Sequence, residues 1–151
     1  MRKSCFLKKI GFTETQYGMT SEQKKKIRSL FNKYAFFDIE LHHGDCIDAD
    51  VEVHEEACYR CFDVVIHPPI NSSKRCTRDF NPNVKVLKRK DYLPRNRDII
   101  GSTKILIGTP KTDSEPNSKR AGGTWYTIRY ARGLKRKIYI VWPDGHVSEE
   151  N

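Results

Sequence analysis

The chain has 151 residues, with 28 Lys and Arg against 19 Asp and Glu, so its formal net charge is +9. A hydrophobic fraction of 37% and a charged fraction of 31% predict one globular domain with a single core, which excludes fibrous and disordered classes. No apolar run approaches the ~20 residues of a membrane span, and the basic segment 1–9 lacks the apolar stretch of a signal peptide. We therefore expect a cytoplasmic protein that does not associate with membranes.

Strand and helix patterns alternate through the first half of the chain. Thr20 is the expected N-cap of the first helix, because Glu22 and Gln23 follow in its first turn. The predicted elements are a strand over 9–13, a helix after Thr20, a strand over 36–41, a helix over 48–61 and a strand over 64–67.

The second half continues this alternation after a polar loop over 71–83. The predicted elements are an edge strand over 84–87, a helix over 95–100 that ends near Gly101, a strand over 104–108, a loop over 110–120 that would act as a flap, a helix over 122–132 with Gly133 as C-cap, and a strand over 137–141. Such alternation is typical of an α/β, Rossmann-like three-layer sandwich, with a mostly parallel sheet and helices on both faces. We assign residues 1–8 to an extension, 9–145 to the domain and 146–151 to a polar tail.

Ligands of such sheets bind beyond the carboxyl ends of the strands, where glycines and helix N-termini can accommodate phosphate. The strongest feature is Gly122-Gly123-Thr124 ahead of a helix. The residues expected to bind a nucleotide or its phosphate are Thr13, Thr15, Gly44, Asp45, Pro68, Arg95, Asn96, Thr109, Gly122, Gly123, Thr124 and Trp125.

Two common nucleotide motifs are absent from the sequence. It has no GxxxxGK followed by Ser or Thr, which excludes a P-loop ATPase, and no GxGxxG after the first strand, as NAD dehydrogenases have. Arg95 or Arg97 is a candidate phosphate clamp, and a structural pair between Arg97 and Asp98 is the alternative.

The catalytic residues, if there are any, are left unassigned, with Glu14, Asp45 and Asp48 as candidates. Asp45, Asp48 and Asp50 form a run suited to a divalent cation or a ribose hydroxyl, but Asp48 serves equally well as a helix cap. His42, His43 and His54 lack the spacing of a metal pair, and His54 fits a satisfied core position.

The five cysteines do not follow the spacing of a disulfide-stapled protein. Cys58 and Cys61 form a C-x-x-C motif, and with His54 they would supply three zinc ligands. Cys76 is the remaining candidate ligand, at no recognisable spacing. We favour packing thiols here, and predict neither a metal nor a cofactor.

Charge is unevenly distributed along the chain. Residues 38–63 hold nine acids and one base, so the excess of positive charge lies elsewhere. That excess suits an anionic partner, although runs such as 24–26 and 135–137 are more often solvated faces. The aromatic residues Phe31, Tyr34, Phe36 and Phe37 suit either an oligomer interface or the core.

Three segments together carry a family resemblance: 41–50 with His54, then 92–100, then 122–132. Their order and spacing resemble the SLOG superfamily, the Rossmann-like group that includes the Smf/DprA DNA-processing proteins and the LOG phosphoribohydrolases. The opening 11–13 and 18–20 and the closing 142–145 are similar to small stand-alone bacterial and phage members.

The resemblance implies a nucleotide site in which Gly44 and Asp45 lie beside the ligand, Arg95 contacts it, and Gly122, Gly123 and Thr124 hold phosphate. It also implies homo-oligomers. LOG hydrolases carry a catalytic glutamate in PGGxGTxxE, whereas alignment on Gly123-Thr124 places Thr127 at that position. A threonine cannot act as a carboxylate base, so the resemblance favours binding over catalysis.

Three hypotheses follow, in order of preference. The first is a protein that binds a nucleotide derivative such as an ADP-ribose or cyclic-nucleotide species, as a sensor or as a phage sponge of an antiphage immune signal. The second is a LOG-type nucleotide N-glycosidase. The third is DNA binding of the Smf/DprA type, which is weaker because those proteins use additional domains.

Overall fold

The structure, a computed structural model, describes residues 7–15, 17–45, 49–70 and 83–151. Its elements in chain order are β1 (Leu7–Glu14), α1 (Ser21–Lys33), β2 (Asp38–His43), α2 (Ala49–Tyr59), β3 (Asp63–Ile66), β4 (Val84–Val86), α3 (Tyr92–Gly101), β5 (Ile105–Thr109), α4 (Gly123–Gly133), β6 (Lys137–Val141) and β7 (Val147–Glu150). No helix among these residues is long and apolar enough to cross a bilayer.

All the strands form one sheet with the order β4-β3-β2-β1-β5-β6-β7. Every neighbouring pair is parallel except β6 and β7. The predicted α/β Rossmann-like class is therefore confirmed. The chain builds outward from β1 through β2 to β4, then returns to the other side of β1 with β5, so the strand order reverses between β1 and β5. Such a reversal opens a crevice at the carboxyl ends of the two strands.

Helices cover both faces of the sheet because side chains alternate along each strand. On β5, Ile105 and Ile107 join the core under α1 and α2, whereas Leu106 joins the core under α3 and α4. Ile128 of α4 packs in the second of these cores. These two apolar cores hold the sheet between the helices, and so they set the positions of the strand ends.

The start of α1 is fixed to the carboxyl edge of the sheet. Thr20 and Gln23 form a reciprocal capping box, as predicted. The Gln23 side-chain amide also donates to the carbonyls of Pro110 and Val141, both at 2.9 Å. Gln23 thus ties the helix start to the segments that follow β5 and β6.

Several predicted boundaries differ from the structure. Leu7 and Lys8 belong to β1, and the residues predicted as a polar tail form β7, which pairs with β6. The sequence did not suggest this strand, because Val147–Glu150 is an edge strand with little apolar content. Gly133 ends α4 without capping it: the C-cap is Leu134, and the left-handed residue is Lys135, at φ 56°.

Helix α2 packs against the core along one narrow face. Val53, His54 and Ala57 are buried, while Val51 is half-buried and Glu55 is exposed. Predictions that rest on residues 71–82, on Asp48 or on Cys76 lie outside the described residues.

Candidate functional site

A cavity of about 340 Å³, here called the open cavity, lies at the crevice between β1 and β5. Its walls come from the end of β1, the segment after β5, and the first residues of α3 and α4. The lining residues are Glu14, Thr15, Tyr17, Tyr92, Pro110, Lys111, Thr112, Ala121, Gly122, Gly123, Thr124 and Trp125. The cavity therefore occupies the position where ligands of this fold class bind.

The N-terminus of α4 forms one side of the open cavity. Gly122 precedes the helix at φ 97°, a left-handed conformation that favours glycine, and it has no side chain to cap the helix. The first N–H groups of a helix have no partner within it, and they lie at the positive end of its dipole. The amides of Gly123, Thr124 and Trp125 are thus suited to an anion.

Aromatic and charged side chains complete the open cavity. The exposed Lys111 ammonium lies 4.5 Å from the centroid of the Tyr17 ring, a cation–π contact. Trp125 is buried and donates through Nε1 to the Thr112 hydroxyl at 3.2 Å. Glu14, at the end of β1, also lines the cavity, although both of its carboxylate oxygens are buried. The cavity therefore offers cationic and aromatic groups within one space.

The loop over 110–120 is tied to α4. Arg129 donates to Glu115 Oε2 at 3.0 Å and to the carbonyls of Ser118 and Pro116, and Arg132 bridges Glu115 and Glu150. These contacts hold the segment that the sequence suggested as a flap, and make it a wall of the cavity.

A second, smaller space of about 30 Å³ lies beside the open cavity, around the start of α3. We call it the closed compartment. It is lined by Phe12, Thr13, Glu14, Gly44, Asp50, Tyr92, Arg95, Asn96 and Ile99. Arg95 is 3% exposed and donates to the Gly44 carbonyl and, at 2.9 Å, to Asn96 Oδ1. Its guanidinium therefore serves the protein's own backbone and a neighbouring amide.

Buried histidines lie near Arg95, although none of them lines this compartment. The Asp45 N–H donates to His43 Nδ1 at 3.0 Å, so the neutral His43 ring carries its proton on Nε2 and donates to His54 Nδ1 at 2.9 Å. Burial and the neighbouring His54 lower the pKa of His43 to about 3, against a smaller opposing effect of Asp45. The His43 imidazole is thus a neutral hydrogen-bonding link at ordinary pH.

A second histidine pair lies on β2 and just after β3. His42 Nε2 donates to Glu40 Oε1 at 2.7 Å, which leaves Nδ1 to accept from His67 Nε2 at 2.8 Å. Burial lowers the pKa of His67 to about 4, and it lowers the pKa of His42 despite the Glu40 carboxylate. No group of three His, Cys, Asp or Glu side chains within the described ranges is arranged to hold a metal ion.

Two glycines predicted to approach a ligand lie under the protein's own side chains. A methyl group on Gly44 would lie 2.7 Å from Arg95 Cζ, and one on Gly123 would overlap the Tyr92 hydroxyl. Both covering residues belong to the first turns of α3. Arg95 is buried, whereas Tyr92 is 50% exposed, so the two covers differ in their freedom to move.

The structure distributes the predicted residues among three environments. The open cavity is lined by Thr15, Gly122, Gly123, Thr124 and Trp125, and the closed compartment by Thr13, Gly44, Arg95 and Asn96. Glu14 lines both spaces. Neither space is lined by the buried residues Asp45, Pro68 and Thr109. Asp48 lies outside the described residues. Arg97 is exposed, and Asp98 pairs with Lys90 instead of with Arg97.

Sequence reasoning missed several residues of the open cavity: Tyr17, Tyr92, Pro110, Lys111, Thr112 and Ala121. Lys111 had a detectable signal, since it is a basic residue only three positions after the predicted end of strand β5 at residue 108. Tyr17 and Tyr92 had none, because an aromatic residue in a loop or at a helix start has no periodic pattern.

The other candidate groups have simple environments. Cys58 Sγ lies 3.5 Å from His54 Nε2, and Cys61 is exposed. Of the aromatic cluster, Phe31 and Tyr34 are core residues, whereas Phe36 is 94% exposed. Thr127 is buried and donates its hydroxyl to the Gly123 carbonyl at 2.8 Å, within α4.

No protein-family model matches the sequence, and no curated protein is significantly similar to it. The solved structure of TM1055, a structural-genomics protein, is similar to this chain at a TM-score of 0.58 and 16% sequence identity, covering 87% of this chain and 72% of that one. At this identity the similarity shows a shared fold. The chain is therefore a distant structural relative of TM1055, with a Rossmann-like α/β architecture.

Proposed function

We propose that this protein binds a nucleotide or nucleotide derivative in the open cavity, with a phosphate at the N-terminus of α4. The observation that carries the proposal is the position of that helix end inside a 340 Å³ cavity at the strand-order reversal. Volumes of ~300–1,000 Å³ are typical of small-molecule sites, and this location is the usual one in open α/β sheets.

Electrostatics supports an anionic ligand. The α4 amides supply hydrogen-bond donors at a positive dipole end, and Lys111 adds a full positive charge to the same cavity. The net charge of +9 would attract an anion from a distance.

The remaining side chains suit a nucleoside attached to that phosphate. Tyr17 and Tyr92 present rings that are 69% and 50% exposed, and a base can stack on either. Glu14 also lines the cavity, and a rotamer change that exposes its buried carboxylate would let it accept hydrogen bonds from ribose hydroxyls or an exocyclic amine. An inorganic anion would use the helix end and Lys111 but none of these groups.

The SLOG-like order of segments 41–50, 92–100 and 122–132 supports the same proposal. As a small SLOG-type protein, the chain would capture a nucleotide signal in the cytoplasm, either as a sensor or as a phage sponge, and would act as a homo-oligomer. The exposed Phe36 is the candidate contact between copies.

A nucleotide N-glycosidase is the second candidate, and the position of Glu14 favours it. Glu14 borders the open cavity, whereas Thr127, at the position of the LOG glutamate, is buried inside α4. A carboxylate beside the ribose would stabilise the positive charge that develops as the glycosidic bond breaks. Release of free base from nucleoside monophosphates by the wild type, and its loss in Glu14→Gln, would establish this activity.

The test of binding is mass spectrometry of small molecules released by denaturing the freshly purified protein. Lys111→Met removes the charge that borders the cavity, and Lys104→Met is its matched control, because Lys104 is exposed at the opposite end of β5. We expect a nucleotide from the wild type and from Lys104→Met, and much less from Lys111→Met.

Titration calorimetry with a panel of nucleotides covers a ligand lost during purification. Micromolar binding that weakens only in Lys111→Met supports the proposal. If the folded protein releases no nucleotide and binds none of the panel, the proposal is wrong.

A further inference from the structure

We propose that Tyr92 sets the length of the ligand: its ring restricts the open cavity to a single nucleotide and separates longer ligands from Arg95. This inference rests on the proposed function and specifies the ligand class of the same site. A nucleoside monophosphate fits this class, whereas two nucleosides or sugars joined through a diphosphate do not.

Tyr92 is the partition between the two spaces. Among the described residues, only Glu14 and Tyr92 line both the open cavity and the closed compartment. The Arg95 guanidinium lies 5.0 Å from the centroid of the Tyr92 ring, and the Tyr92 hydroxyl occupies the space that a Cβ on Gly123 would need. The ring therefore lies between the N-terminus of α4 and Arg95.

The volumes show what the partition does. The open cavity, at about 340 Å³, lies near the lower end of the ~300–1,000 Å³ range of small-molecule sites, which suits one nucleotide. The closed compartment adds only about 30 Å³ while the ring is in place. Without the ring, the two spaces would join, and Arg95 would lie at the far end of a longer groove. A guanidinium is a strong partner for a second phosphate.

Of the two described residues that line both spaces, Tyr92 is the one whose side chain can move or be truncated with little loss of stability. Glu14 belongs to the central strand β1, whereas Tyr92 is the first residue of α3 and half of its surface is exposed. Exposed side chains change rotamer readily, and truncating one leaves the core packing intact. A substitution at Tyr92 should therefore alter the site while preserving the fold.

The Tyr92 ring also lies over Gly123. Any side chain at residue 123 would overlap the Tyr92 hydroxyl, so Gly123 and Tyr92 form a matched pair at the start of α4. Gly123, which the sequence suggested for close approach to a phosphate, thus also leaves room for the Tyr92 ring.

The test is titration calorimetry with two probes, AMP and ADP-ribose, on the wild type, Tyr92→Ala, Tyr92→Leu and Tyr92→Phe. Tyr59→Ala is the control, because Tyr59 is an exposed tyrosine on α2, away from the cavity lining. Circular dichroism checks that every variant is folded, and Tyr92→Leu replaces Tyr92→Ala if the latter is not.

We expect the wild type to bind AMP more tightly than ADP-ribose. In Tyr92→Ala, the ratio of the two affinities should fall by about tenfold, which is a typical effect of a change in pocket shape. Tyr92→Phe and Tyr59→Ala should retain the wild-type preference. If the wild type binds AMP and the preference is the same in Tyr92→Ala, Tyr92 is not the partition and only this inference fails. If no folded variant binds either probe, the proposed function fails together with it.

Discussion

The open cavity and the closed compartment lie side by side at the same edge of the sheet, and each is lined by residues that the sequence predicted for one nucleotide site. Each is built around a glycine that follows a strand or precedes a helix. At Gly44 the space above the glycine is filled by the buried Arg95, whereas at Gly123 the cover is the half-exposed Tyr92. A glycine at a strand end therefore shows only that something approaches the backbone closely, and the approaching group can be the protein's own side chain.

The comparison also separates two uses of polar residues. In and around the closed compartment, Arg95 bonds to a backbone carbonyl and the neighbouring histidines bond to each other, so they stabilise the loops after β2 and β3. In the open cavity, Lys111, Tyr17 and the start of α4 face a space large enough for a ligand. The first region should respond to mutation mainly in stability, and the second mainly in binding.

The largest effect on stability should come from Gly44→Ala. Its methyl group would lie 2.7 Å from Arg95 Cζ, and overpacking of this kind costs about 1–3 kcal/mol of unfolding free energy. Gly133→Ala is the control, because no atom lies within 4 Å of the added methyl and alanine favours the helix by about 1 kcal/mol. Urea unfolding measures both. Equal stability of Gly44→Ala and the wild type would show that Arg95 moves freely, and the contrast between the two regions would be lost.

The second prediction is a pH dependence that arises from the buried histidines near Arg95. The pKa of His43 is lowered to about 3 and that of His67 to about 4, from 6.5 in the unfolded chain. Below pH 6.5 the unfolded chain binds protons that these folded imidazoles do not. The free energy of unfolding should therefore fall as pH decreases from about 6.5 to about 4, by up to ~1.4 kcal/mol per pH unit for each histidine.

Replacing His67 should reduce this dependence. We expect a shallower slope of unfolding free energy against pH for His67→Gln than for the wild type, measured by urea unfolding between pH 7 and pH 4.5. His146→Gln is the control, because His146 is exposed, and its slope should match the wild type. Parallel curves for the wild type and His67→Gln would contradict the assignment of buried neutral imidazoles.

The smallest effect on stability should come from the wall of the open cavity. Arg129→Ala removes contacts to Glu115, Pro116 and Ser118, and partly exposed contacts of this kind contribute about 1 kcal/mol or less. Trypsin should nevertheless cleave faster after Lys119 and Arg120, because the loop is released from α4. Arg28→Ala, which breaks a pair with Glu56 on α2, is the control. Unchanged cleavage in Arg129→Ala would show that other contacts hold the loop.

Much of the fold could be predicted from the sequence, because the strand and helix patterns have clear periods. The capping box at Thr20 and Gln23, and the apolar strands around Leu41 and Ile107, are local signals that the structure retains. Strand β7 could not be predicted in this way, since its residues are polar and its pairing with β6 depends on the turn at Gly145.

Only the approximate location of the candidate site could be predicted from the sequence. Chain order and strand ends indicated which edge to examine and that Gly122–Thr124 lies there. They could not show that Arg95 bonds to Gly44, nor that Tyr92 lies over Gly123, because both contacts cross between distant segments and depend on side-chain direction.

The central claim is that a nucleotide phosphate binds at the start of α4. Amide NMR during a titration with AMP tests it directly, because each backbone N–H reports its own environment. We predict saturable shifts of the Gly123, Thr124 and Trp125 amides, together with the Trp125 indole, and much smaller shifts at His42, His43 and His67. Saturable shifts confined to the histidine region, or no shifts at millimolar AMP, would contradict the account.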